Sequence, residues 1–141
     1  MTPDKAVELL SYHSGTHPDI HSPKWTQGFL GMLRPYKGQL LSENYHEVMS
    51  CIRCLAPALR EEQALPRSPI SSIWGICHLA RAWGLAPGGM LRRSDLISKK
   101  DIATLEEWLN VISYTTMSLL ERAETEVAFE LYSRKPRFRE S

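Results

Sequence analysis

The chain is short of the features that announce a function most quickly. Its longest nearly uncharged stretch, Pro69 to Ala80, covers about twelve residues, whereas a bilayer-spanning helix needs about 20. Cysteine is scarce. Cys51, Cys54 and Cys77 are an odd number, too few for a disulfide framework, and fit reduced thiols in a cytosol. The opening MTPDKAVELL carries Asp4 and lacks the apolar core of a secretory signal, so a cytoplasmic location without a membrane partner is expected. Excess charge is missing too, with a net charge of +1. Residues 1–66 carry six Lys/Arg against seven Asp/Glu, and residues 67–141 eleven against nine. Neither half is a nucleic-acid-sized basic patch or an acidic mimic of DNA.

No segment alternates apolar and polar residues over a strand's length, and no repeat of 20–50 residues or low-complexity tract is present. The G-x-S-x-G elbow, the P-loop and the G-x-G-x-x-G fingerprint are likewise absent. No cofactor is expected. What remains is an ordinary globular composition, 43% hydrophobic and 23% charged over 141 residues, enough for one domain with a real core.

Helix starts are well marked. Thr2-Pro3, Ser22-Pro23 and Ser68-Pro69 each place a hydroxyl cap before a proline, whose missing N–H costs nothing at the first helical position. Ser42 and Ser98 open two more helices, Ser98 with Asp101 three residues on. The pattern predicts an all-α bundle of five helices at about 3–12, 23–33, 43–56, 69–83 and 99–122 or beyond. Residues 1–133 would form one domain, and the basic segment 134–141 a loose tail.

The second helix would carry Trp25, Phe29, Leu30 and Leu33, with Gly28 and Gly31 lowering its propensity by up to about 1 kcal/mol each. Glycines so spaced suit a close backbone approach. The fourth helix is apolar nearly all round, which predicts burial on several sides, a central position and a core role for His78. Gly84 would cap its end. The fifth has the cleanest three–four periodicity, and its broad apolar face offers a route to self-association.

Several clusters invite chemistry. His13, His17, Asp19 and His21 combine imidazoles with a carboxylate as transition metals prefer. They lie in a Gly- and Pro-containing loop, however, where a solvated histidine-rich connection is the plainer reading, so no metal is expected. Cys51-x-x-Cys54 has no second pair at zinc-site spacing, and no strand precedes it as in a redox motif. Core packing suits it better. His46-Glu47 begins like a zincin motif, but Ser50 stands where the second histidine belongs. His46, Glu47 and His78 would form a catalytic site only if the third and fourth helices set them face to face. Ala80, Gly84, Leu85, Arg92 and Arg93 outline a helix-turn-helix around 78–93, but Pro87-Gly88-Gly89 interrupts it where the recognition helix should begin.

The interaction reading rests on Arg34, Tyr36 and Lys37 in a turn after an apolar run, and on Arg92 and Arg93. Arg and Tyr are enriched at interface centres, and these cations would suit an acidic partner. The expectation is a non-enzymatic helical protein-binding domain of regulatory, adaptor or toxin-neutralising type.

Overall fold

The computed structural model describes residues 1–134. They form helices without a strand among the described residues: α1 (Pro3–His13), α2 (Pro23–Thr26), α3 (Ser42–Cys54), α4 (Ala56–Glu61), α5 (Arg67–Ala80), α6 (Met90–Arg93), α7 (Lys99–Leu120), α8 (Thr125–Ala128) and α9 (Glu130–Ser133). The all-α bundle expected from the sequence is what forms. The tail expected at 134–141 lies, apart from Arg134, outside the described residues.

Three of the five caps act as read. Thr2, Ser22 and Ser98 accept the backbone N–H of Lys5, Lys24 and Asp101 through their hydroxyls, satisfying donors that a helix start leaves free. Ser42 and Ser68 lie inside the first turns of α3 and α5, and neither helix has a side-chain cap bond. Leu55 separates α3 from α4, and Pro57 sits in the first turn of α4, where proline is tolerated. The fourth expected helix ends as α-helix at Ala80 and continues as a π-turn, Arg81–Leu85. Gly84 is therefore not a C-cap. It is buried in that turn, and a Cβ built on it would lie 2.6 Å from Leu105 Cδ2, so its size lets α7 come close.

The largest departure is at 23–33, where the helix lasts one turn. Tertiary bonds replace the helical ones. The Phe29 N–H donates to His13 Nδ1 at 3.0 Å, and the Leu30 N–H to the His13 carbonyl at 3.0 Å. Gly28 packs so tightly that a Cβ would meet Lys24 O at 2.7 Å and Tyr12 O at 3.2 Å. The close backbone approach expected of these glycines is real, but it occurs in a folded loop. Phe29 and Leu33 end fully buried.

α1 packs on α3 and α5, and α7 lies against α5, α3, α4, α8 and α9. Met49, Ile52, Ile76, Leu105, Leu109, Ile112, Leu119 and Phe129 fill the space between them. Burial of these side chains at about 25 cal/mol per Å² of apolar surface is the main force holding the bundle together. No helix among the described residues is long and apolar enough to cross a membrane.

Candidate functional site

The histidines do not converge. His13 is buried at the end of α1, and both its ring nitrogens are engaged. Because Nδ1 accepts the Phe29 N–H, the proton must sit on Nε2, which donates to Glu47 Oε1 at 2.8 Å. That hydrogen bond is the main reason the Glu47 carboxyl lies below its ordinary range. The pair has the partners of a catalytic His–Glu dyad but not its function. The nitrogen that would take a substrate's proton is occupied by a peptide, and the ring is sealed from solvent. It ties α1, the 27–33 loop and α3 together.

His17 stacks on Tyr12, with ring centroids 3.8 Å apart, and accepts the Asp19 N–H on Nδ1. His21 and Asp19 are exposed. No group of three or more His, Cys, Asp or Glu able to hold a metal occurs among the described residues. His46 is exposed on α3, with Nδ1 2.6 Å from the Tyr132 hydroxyl. His78 is exposed on α5, which corrects its expected core role. His46, Glu47 and His78 thus face three different surroundings, since consecutive helical residues point about 100° apart.

The cysteines are all free thiols. Burial pushes the Cys51 thiol up to about 12 and raises Cys77 as well, leaving little thiolate for nucleophilic or redox chemistry. Cys54 is half-buried and its Sγ donates to the Met1 carbonyl at 3.4 Å. The residues of the helix-turn-helix outline are also placed otherwise. The segment after the π-turn is α6, four residues long, too short to read bases from a major groove.

The five residues singled out as interface candidates fare differently. Arg34 lays its guanidinium over the Trp83 ring, 5.4 Å from the centroid. Arg92, from α6, donates to the Leu85 carbonyl of the same π-turn at 2.9 Å. Tyr36 donates its hydroxyl to the Asp101 carboxylate in the first turn of α7. Desolvation and that carboxylate raise the Tyr36 hydroxyl's pKa, so it stays a donor. Lys37 and Arg93 are exposed beside them in sequence.

One end of the bundle therefore carries Arg34, Lys37, Arg92, Arg93, Lys99 and Lys100, against Asp95 and the Asp101 already held by Tyr36. The π-turn organises it by presenting an aromatic face to one arginine and a free carbonyl to the other. Trp83 and Asp101 are the residues that sequence reading missed here. Trp83 is the last residue of the expected fourth helix, and Asp101 stands three residues after the Ser98 cap.

No family model matches this chain, and neither a curated protein nor a solved structure is significantly similar to it.

Proposed function

We propose that this chain works by binding another protein, and that the end built around the π-turn is the binding surface, suited to an acidic patch on the partner. The observation that carries the reading is the Arg34–Trp83–Leu85–Arg92 arrangement. Two arginines from segments far apart in sequence are held by one turn, and both are exposed residues. Arginine stacked on an indole keeps its charge and its donors while losing rotamer freedom. A carboxylate-bearing partner then meets a partly ordered fork at little further entropic cost. Lys37, Arg93 and Lys99 would add long-range attraction, raising the association rate more than the lifetime of the complex.

The test is affinity capture from cells that make the protein, comparing the wild-type chain with an Arg34→Glu/Lys37→Glu/Arg92→Glu variant. The three positions are exposed, so the variant should fold. A partner retained by the wild-type chain should be lost with the triple variant, and its retention should fall as salt rises to about 0.5 M. A partner held equally by both chains, or insensitive to salt, would place the interface elsewhere.

A further inference from the structure

The loop that leaves α6 belongs to the basic end, and it carries an apolar side chain that its own geometry commonly covers. Leu96 is 58% exposed, although Leu91 and Ile97 on either side of it are buried. The Asp95 N–H donates to the Arg92 carbonyl at 3.1 Å, and the Leu96 N–H to the Leu91 carbonyl at 2.8 Å. With Asp95 at a φ of 56°, these two bonds make a Schellman helix end. In that motif the residue at the place of Leu96 frequently packs on the one at the place of Leu91. Here Leu91 belongs to the core and Leu96 stays mostly in water.

A single exposed leucine is ordinary, but two features set this one apart. Asp95 holds a left-handed backbone that glycine adopts at less cost, and the two bonds beside it fix where Leu96 stands. Apolar surface also continues next to it. Trp83 and Leu85 in the π-turn and Met90 in α6 are each only half-buried, and α6 packs against that turn. The Arg92 guanidinium bonds the Leu85 carbonyl, so cations and apolar groups share one small area.

We propose that the occupant of this area is a partner segment both acidic and apolar, with an aliphatic or aromatic side chain set on Leu96. Its neighbouring carboxylates would be taken by Arg92, Arg93 and Lys99. This rests on the reading of the basic end as a protein-binding surface. Charge favours such an occupant. From Met90 to Asp101 the cations are Arg92, Arg93, Lys99 and Lys100, and the carboxylates are Asp95 and Asp101. Asp101 is engaged by the Tyr36 hydroxyl. Arg34 and Lys37 add cations from a segment, 28–42, that holds no acid before Glu43. On α7 the next acids, Glu106 and Glu107, begin two turns beyond Lys99, roughly 10 Å along the axis. A purely apolar partner would border these cations without pairing them, and a purely acidic one would leave Leu96 in water. A bilayer is disfavoured, because membrane binding scales with the apolar area inserted and one leucine on a fixed turn offers little.

Fluorescence anisotropy of the full chain tests this with two labelled peptides of equal length and charge, one alternating Glu with Leu and the other Glu with Ser. The Glu/Leu peptide should bind about tenfold more tightly. Leu96→Ser should remove that advantage and leave the Glu/Ser affinity as it is, which also shows that the cations are still in place. Asp95→Gly suits the left-handed turn and removes its anion, so it should tighten both peptides. Equal binding of the two peptides, or an advantage that persists in folded Leu96→Ser, would overturn the apolar anchor and leave the basic end standing. Binding of neither peptide, or binding unchanged in Arg34→Glu/Lys37→Glu/Arg92→Glu, would overturn the reading beneath it as well. Co-sedimentation with anionic phospholipid vesicles, lost in Leu96→Ser, would assign the same chemistry to a lipid surface and overturn the peptide.

Discussion

His13 shows how one side chain can redirect a segment of backbone. Its ring and carbonyl take the N–H groups of Phe29 and Leu30, and its Nε2–H takes Glu47. His13→Ala leaves a buried peptide N–H without an acceptor and opens a cavity. We expect a loss of about 2–4 kcal/mol in urea unfolding. Glu47 gives the linkage its sign. Its carboxyl lies below the ordinary value of 4.5, chiefly through the His13 hydrogen bond. The contribution is therefore present above the ordinary carboxylate range and is lost as pH falls through the lowered value. Glu47→Gln keeps an acceptor for His13 and removes that titration. The urea midpoint of the wild-type chain should drop more steeply with acid than that of the variant. Thr115 gives the opposite case: its hydroxyl oxygen is fully buried in α7 and has no hydrogen-bond partner among the described residues. Replacing it with the similarly shaped valine should leave stability unchanged or raise it by about 1 kcal/mol.

At the scale of elements, the helix ends divide by whether their signal is local. Ser98 caps α7 through a hydroxyl three residues from the N–H it accepts, and Ser98→Ala should cost about 1 kcal/mol. That bond needs nothing outside one turn, so it was readable from the sequence. The break at Ala80 was not readable, because the π-turn fits Gly84 against Leu105 on another helix. Gly84→Ala sets a methyl against the tip of the buried Leu105 side chain and should cost about 1–3 kcal/mol by overpacking, measured as a shift in the denaturation midpoint. The exposed side of α5 corrects the expectation of a helix buried on several sides, since Trp74 is 75% exposed. Trp74 shares its side with Ser71, Gly75 and His78, three residues that need no core, whereas Ile73, Ile76, Cys77 and Ala80 hold the buried side. Counting Trp74 with the apolar residues by type alone hid that division.

For the molecule as a whole, α7 is the common neighbour of α3, α4, α5, α8 and α9, so truncations along it should act on the entire fold. Leu109→Ala, at a fully buried position, should lower stability by about 2–5 kcal/mol. Trp74→Ala should change stability by no more than about 0.5 kcal/mol, for all its size. Calorimetry on the two variants separates a side chain that holds the fold from one that lies on its surface. The same contrast describes the candidate interface. Arg34, Tyr36, Lys37, Arg92 and Arg93 were legible as exposed cations and an aromatic in turns. Their convergence was not, because it depends on Trp83 and Leu85 in a turn no short-range rule predicts.

By itself the sequence determined the helical class, the three hydroxyl caps at Thr2, Ser22 and Ser98, and the apolar stripe of α7. Each depends on bonds or spacings within about four residues. Tertiary structure decided the rest: the unwinding of residues 27–33, the burial of Gly84, and the exposure of His78 and Trp74. It also decided the meeting of Arg34 and Arg92 on one turn. The physical reason is the range of the forces. A backbone N–H accepts the best partner in reach, and for Phe29 that partner is a histidine ring 16 residues away in sequence, available only once α1 has docked.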